Sequence, residues 1–390
     1  MIIPKLALRN LLGAGLRTWL NVVVLSFAYV AIIWMQGLYE GMNRQVSRAM
    51  IDAEYGGGQY QQEKYDPYDP LSLQDAHAKI PPALNTLIAL EQATPILIVQ
   101  GTVYPNGRIR PVLLKGIDPE QKILSIPAEI LRGAGSEVPA LIGARMAKSS
   151  GLAKGDYVTI RWRDRYGTFD AIDVRIARIM RTVDQGIDVN QIWLPLQKIW
   201  TMAAMPGEAT IIVLAKDAAP VGDVPGWQFK STKELLSDIR QLVKSKTVGA
   251  SFLYVLLLFL AMLAIFDTQV LSIFRRRKEI GTLMALGMTR SKVIQLFTLE
   301  GAMHAILAAL VAAVYGIPLF TVTAKHGWAL PQSYDSYGFA LGEKLFPSYS
   351  AGLIVGTTLL VLLMTTIVSY LPTRKIAGLK PPDALRGKWT

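Results

Sequence analysis

Four stretches of this chain contain no Asp, Glu, Lys or Arg: residues 18–39, 247–266, 301–324 and 345–373. Each is at least as long as the ~20 residues that cross a ~30 Å hydrocarbon core. Backbone polar groups find no water in lipid, so each stretch is predicted to be helical. Between the first and second lie some 205 residues with a different pattern. Residues 96–103 and 110–117 are β-rich runs separated by Pro105-Asn106-Gly107, which suits a hairpin turn. Residues 157–162 alternate apolar and polar positions, and so do 169–181, with Ile172, Val174, Ile176 and Ile179 on one face. Residues 59–61, 139–142, 190–195 and 210–215 add strands. Helices are predicted at 144–150, 197–203 and 232–246, with another at 73–90 broken near Pro81-Pro82. A helical continuation of the first span, 40–53, ends at Gly56-Gly57-Gly58. The pattern describes an α-helical membrane protein with four transmembrane helices. A large α+β extracytoplasmic domain, with mainly antiparallel strands and room for two subdomains, is inserted between the first and second.

Charge then orients the chain. The protein carries a formal +12 over 390 residues. Residues 1–17, 275–292 and 374–390 hold fourteen Lys/Arg against two Asp/Glu, whereas residues 39–247 hold 25 against 23. The excess therefore lies in short segments beside the membrane, which places those segments in the cytoplasm. It argues against nucleic acid as a partner. The first apolar run is long for a signal-peptide core and ends in Trp34-Met35-Gln36-Gly37-Leu38-Tyr39, without a small-x-small cleavage site, so it reads as a retained anchor. The resulting order is a cytoplasmic amphipathic helix (1–17), a first span (18–39), the external domain (40–246) and a second span (247–274). A cytoplasmic helix (275–292), a third span (293–324), an external loop (325–347), a fourth span (348–373) and a cytoplasmic tail (374–390) follow. Residues 232–274 have the composition of one long helix weakened only at Gly249.

Candidate chemistry is sparse. There is no cysteine and there are three histidines, His77, His304 and His326. They are scattered, which leaves no metal-ligand pattern. His304 sits in the third span with no chemistry assigned to it. No G-x-x-x-x-G-K-[ST] phosphate loop, H-E-x-x-H or G-x-S-x-G motif occurs, so the chain reads as a non-enzyme. Asp66 and Asp69 fall in a Pro/Tyr-rich turn. Asp267 is different: a carboxylate near the end of the second span, about 12 Å before Arg275 along a helix. Buried in hydrocarbon it needs a partner or a wet cavity. A structural hydrogen bond, an ion pair with a neighbouring chain, a gating role and a proton relay are the alternatives for it. Glu300 is the other intramembrane acid.

The segment Arg276-Arg277-Lys278-Glu279-Ile280-Gly281-Thr282-Leu283-Met284-Ala285-Leu286-Gly287 follows the second span. Ile280, Leu283 and Met284, spaced i, i+3, i+4, form one apolar face. That spacing suits docking into a partner's groove. The basic cluster alone also suits simple anchoring to headgroups. The segment resembles the "RRKEIG-x-L-x-ALG" signature of FtsX/MacB/LolC-type ABC transporter permeases. Arg9-Asn10-Leu11, Leu16-Arg17-Thr18, Glu300-Gly301, residues 370–375 and residues 382–386 resemble other marks of that family. Residues 57–70 and 142–160 look like the lipoprotein-releasing LolC/LolE-type members. Many of these carry a neutral polar residue near the position of Asp267.

The resemblance implies that residues 276–281, 283–287 form the coupling helix that docks on an ABC ATPase subunit. It implies an inner-membrane permease, paired with an identical or homologous second permease. ATP and magnesium would sit on the ATPase chain, with no cofactor here. It also implies mechanotransmission of ATPase closure to the external domain, in contact with membrane lipid, to extract or export a lipoprotein or other amphiphile. MacB-like efflux of drugs or peptides is one alternative, although the usual MacB pattern has an ATPase ahead of the permease and this chain starts close to its first span. FtsX-like signalling to a cell-wall hydrolase is another, although its external domain is usually smaller.

Overall fold

A computed structural model describes residues 15–133, 137–180, 189–329 and 344–374. The amphipathic helix expected over 1–17 falls, up to residue 14, outside the described residues. So do most of the 325–347 loop and the 375–390 tail with its 382–386 motif. The chain divides into two units. One gathers the membrane helices and the other holds residues 43–241.

Four helices are long and apolar enough to cross a membrane. The first, α1 (Leu16–Met50), has 35 residues and is about 50 Å long at 1.5 Å per residue, well beyond a hydrocarbon core. It does not simply stop at the glycines. The turns widen into a π-helical segment, Ile51–Tyr55, before Gly56 reverses the chain at φ 53° and returns its N–H to the Ile51 carbonyl.

The domain that follows contains strands β1 (Gly58–Gln62), β2 (Ala78–Lys79), β3 (Ala93–Val103) and β4 (Arg110–Ile117), with helix α2 (Pro82–Ala89) between β2 and β3. Pro81-Pro82 thus opens a helix and does not break one. A fixed φ and a missing N–H suit the first helical turn. A 3₁₀ turn, Pro70–Gln74, and the short strand β2 occupy the earlier part of the helix expected at 73–90. Next come β5 (Val138–Gly143), α3 (Ala144–Ser150), β6 (Tyr157–Arg163), β7 (Phe169–Met180), β8 (Gln191–Pro195) and α4 (Leu196–Ala203). β9 (Glu208–Ala209), β10 (Ile211–Leu214), β11 (Trp227–Ser231) and α5 (Thr232–Leu235) complete the domain.

The main sheet runs β11-β1-β10-β3-β4-β8-β5-β7-β6, and β6 returns to pair with β3. Strands β3, β4, β8, β5, β7 and β6 therefore close into a six-stranded barrel. Most pairings are antiparallel, as the alternation suggested, but β4–β8 and β5–β7 are parallel. Val99, Leu114, Ile142, Ile160, Trp162, Ile176 and Ile192 fill the barrel. Ile96, Ile98, Leu141 and Trp193, the alternate residues of the same strands, pack a second core on the outer face. Burial on both faces explains the unbroken apolar run at 96–99.

Helix α6 (Ser237–Arg275) passes through Gly249 without a break. The expected single helix from Thr232 is interrupted once, at Leu236. Then come α7 (Arg277–Ala285), α8 (Arg290–His326) and α9 (Ala351–Thr373). Val22, Leu25, Tyr29 and Ile33 of α1 share a core with Leu258, Ala261 and Ile265 of α6, Ala305, Ala308 and Ala312 of α8, and Val361 of α9. At the outer end of α1, Gly37 and Gly41 make a notch. A Cβ on Gly41 would collide with the Phe346 carbonyl, and one on Gly37 with the Tyr349 ring. Ser348 donates its N–H to the Gly37 carbonyl at 2.8 Å. The small-x-x-x-small spacing, a common packing device in membranes, here receives the segment leading into α9.

Candidate functional site

The polar junction joining α6, α7 and α8 is built around one arginine. Arg276 leaves helical geometry at φ −94°, ψ 17°, so the chain turns from α6 into α7 at that residue. Its Nε and Nη2 donate to the two carboxylate oxygens of Glu279 at 2.7 and 2.8 Å. Its Nη1 donates to both oxygens of Glu300 on α8 at 3.1 and 3.0 Å. The guanidinium stacks 4.8 Å from the Phe297 ring. A planar fork with several donors suits this double clamp, and an ammonium would not. Glu300 has a side chain only 6% exposed, and a carboxylate so buried requires such a partner. Hydrogen bonding to Arg276 holds the Glu279 carboxyl below its ordinary range, and Glu279 reciprocally raises the Arg276 guanidinium.

Apolar packing completes the junction. Ile280 is fully buried against Ile273, Val293 and Phe297, with Met284 and Met288 packed on the same cluster. Gly281 is also buried. The face expected to meet a partner is therefore turned, at Ile280, onto the chain's own helices. Leu283 and Met284 are half-buried. A 3.6-residue periodicity reveals that a face is covered, not what covers it. The surface of α7 left open consists of Lys278, Thr282, Ala285 and Leu286, with Leu286 81% exposed. Glu279 is half-exposed beside it. Arg277 lies along α6, donating to the Phe274 carbonyl at 3.1 Å. After Leu286 the chain reverses at Gly287, whose φ of 93° favours glycine, and Thr289 caps α8.

The two intramembrane acids behave differently. Glu300 is clamped, and Gly301 beside it leaves no room for a Cβ against Ser369 of α9. Asp267 is exposed on α6, and no side chain among the described residues pairs with it. Its neighbour Thr268 accepts a 2.6 Å hydrogen bond from Asn21 of α1. His304 is buried, with Nδ1 3.1 Å from the Glu300 carbonyl. Among the described residues no three His, Asp or Glu side chains gather where they could hold a metal ion.

A second set of contacts, not expected from the sequence, fixes both long helices within the domain. At the end of α1, Lys115 is 3% exposed and bonds Glu54 at 2.8 Å, lying 5.1 Å over the Trp193 ring. Asp52 pairs with Lys216 at 2.5 Å, and its carbonyl accepts the Ser125 N–H. Ser231 and Glu234 form a reciprocal capping box that opens α5, and at the start of α6 Leu236 is fully buried and Tyr68 donates to Asp238. Asp52 and Glu54 lie in a charge-rich stretch that reads as an ordinary helix end. Only the strand order shows that Lys115 of β4 faces it.

Two protein families match the chain. Residues 18–224 match the MacB-like periplasmic core domain, and residues 251–381 match the FtsX-like permease C-terminal domain. An uncharacterized ABC transporter permease of Methanocaldococcus jannaschii, MJ1507, is 26% identical over 233 residues, covering 55% of this chain and 55% of that protein. The macrolide export ATP-binding/permease protein MacB of Psychrobacter cryohalolentis is 26% identical over 151 residues, covering 38% of this chain and 21% of that protein. The chain thus spans about half the length of the first relative and about a fifth of the second. Among solved structures, the extracellular domain of the noncanonic ABC-type transporter YknZ from Gram-positive bacteria covers 42% of this chain and 83% of its own, with a TM-score of 0.26 and 12% identity.

Proposed function

Because the chain belongs to the family of ABC transporter permeases with a MacB-like periplasmic core domain and an FtsX-like C-terminal domain, we propose that it is the inner-membrane permease subunit through which a separate ATPase moves an extracytoplasmic domain. The observation that carries this reading is the Arg276 junction. It fastens α7 to α6 and α8 and leaves Lys278, Thr282, Ala285 and Leu286 open. A load applied to that open surface passes into α6, an unbroken helix of 39 residues. Buried Leu236 and the Tyr68–Asp238 hydrogen bond tie the beginning of α6 to the domain, and the Glu54–Lys115 pair does the same for the end of α1. ATP and magnesium act on the partner chain. The contribution of this chain is to receive the motion without dissipating it.

A second permease, identical or homologous, covers the exposed face of α6 that bears Asp267. A charged group that faces lipid costs about 2.5–3.5 kcal/mol at the centre of the bilayer and less toward its edges, and a protein neighbour relieves that cost. The cargo is an amphiphile drawn from the membrane, with a lipoprotein as the first candidate. The match to macrolide export proteins favours efflux of smaller amphiphiles as the second reading.

The test uses the complex purified with its ATPase and reconstituted in nanodiscs. Leu286→Asp places a carboxylate on the open surface without touching the buried cluster. Cargo-stimulated ATP hydrolysis is expected to fall about tenfold, the scale of losing ~1.4 kcal/mol of contact or more, while membrane insertion is retained. Unchanged stimulation would remove the open face of α7 from the coupling path. Comparing a lipoprotein with a macrolide as stimulant decides between the two cargo classes.

A further inference from the structure

A cavity of about 220 Å³ opens at the cytoplasmic end of the membrane helices, among Thr18 of α1, Gln269, Ser272 and Arg275 of α6, and Glu300 and His304 of α8. Three observations show what it suits. A single ordered water needs only about 10–15 Å³, so the space accommodates something larger. At the rim, Arg275 is exposed and has no partner among the described residues, unlike Arg276 and Arg277 beside it. The hydroxyls of Thr18 and Ser272 share that rim. At the inner wall, Gln269 is 3% exposed, and its Oε1, shielded from the cavity, accepts no hydrogen bond. An unsatisfied buried acceptor costs about 1–3 kcal/mol. The acceptor that lines the cavity is Glu300, whose side chain is 6% exposed and partly neutralised by Arg276.

The site therefore offers a free cation and hydroxyls at its mouth and hydrogen-bond acceptors within. The complementary ligand is an anion joined to a hydrogen-bond donor. It must also reside where α6 leaves the hydrocarbon. We infer that this cavity binds the phosphodiester headgroup of an inner-leaflet phospholipid ending in a hydroxyl or ammonium group, such as phosphatidylglycerol or phosphatidylethanolamine. The phosphate meets Arg275 with Thr18 and Ser272, and the terminal donor reaches Glu300. Basic pockets between membrane helices on the cytoplasmic side are suited to headgroups on general electrostatic grounds. Because Arg276 also lines this cavity, the bound lipid abuts the arginine that holds α7, and lipid composition bears on the stiffness of that junction.

The experiment is native mass spectrometry of the full-length chain released from nanodiscs of defined composition. Wild type is expected to retain one phosphatidylglycerol or phosphatidylethanolamine per chain. Phosphatidylcholine, whose quaternary ammonium cannot donate, is not retained. Arg275→Gln removes an exposed, unpaired cation, and Ser272→Leu fills the cavity while keeping the charge. Each is expected to reduce retention at least tenfold. Lys278→Gln, outside the cavity, leaves retention unchanged. Equal retention of phosphatidylcholine, equal loss in Lys278→Gln, full retention in Arg275→Gln, or displacement of the lipid by millimolar inorganic phosphate would each overturn the assignment. The last would identify a site for a free anion.

Discussion

Lys115→Met will cost the extracytoplasmic domain about 3–5 kcal/mol, the usual penalty for leaving one member of a buried ion pair alone. Lys115 is 3% exposed, and its partner Glu54 is 18% exposed at the side chain. Methionine fills the space beside Trp193 but returns no charge. Glu54 must then keep a poorly solvated carboxylate or take up a proton. Because Glu54 lies in the π-helical turn that ends α1, the damage is local to the point where the first membrane helix enters the domain. For a domain of this size each kcal/mol moves the midpoint by roughly 2–4 °C, so thermal unfolding followed by tryptophan fluorescence should show a drop of about 10 °C. Glu54→Gln combined with Lys115→Met removes both charges and should recover most of that loss. A single Lys115→Met variant melting within about 1 °C of wild type would show that the pair is not buried as described.

Arg276→Ala is expected to abolish coupling while leaving the four helices inserted. It removes four hydrogen bonds at once and leaves the buried Glu300 without its cation. The helical fragment α7 then keeps only Ile280 and its apolar neighbours as attachment. Cargo-stimulated ATP hydrolysis by the reconstituted complex should fall by at least ~10-fold, and Arg276→Lys should not restore it, because one ammonium cannot satisfy two carboxylates in the geometry of a guanidinium fork. Arg277→Ala, which loses one bond to the Phe274 carbonyl, should retain most of the stimulation. Equal effects of the two alanine variants would mean that the basic cluster acts through its total charge, as a topology signal does, and not through the Arg276 clamp.

Much of this architecture was legible in the order of residues, for identifiable reasons. Charge-free stretches of 20 residues or more have one stable outcome in lipid, so the four spans were readable directly. Alternation located most domain strands. It did not reveal their closure into a barrel, because pairing β6 back onto β3 depends on contacts some 60 residues apart. The double proline at 81–82 was ambiguous, since the residue that interrupts a helix also begins one well. At the candidate site the signature singled out a segment but could not rank its members. Three consecutive arginines look alike in sequence. In the fold Arg275 pairs with none of the described residues, Arg276 clamps two acids and Arg277 lies back along α6. Ile280 was expected on a partner-facing surface and lies inside, since an apolar stripe carries no label for the surface that covers it. Glu54 and Lys115 were invisible as a pair because 61 residues separate them.

The proposed function turns on docking of the ATPase at the open face of α7, which Arg276 and Ile280 hold from behind. The chain contains no cysteine, so single cysteines can be introduced without a background. The most direct measurement is thiol-specific cross-linking from Leu286→Cys and from Ile280→Cys in the assembled complex, with and without nucleotide. Leu286→Cys is expected to cross-link to the ATPase subunit with a nucleotide-dependent yield, and Ile280→Cys is not. A cross-link to the ATPase from Ile280→Cys, with none from Leu286→Cys, would contradict docking at that face.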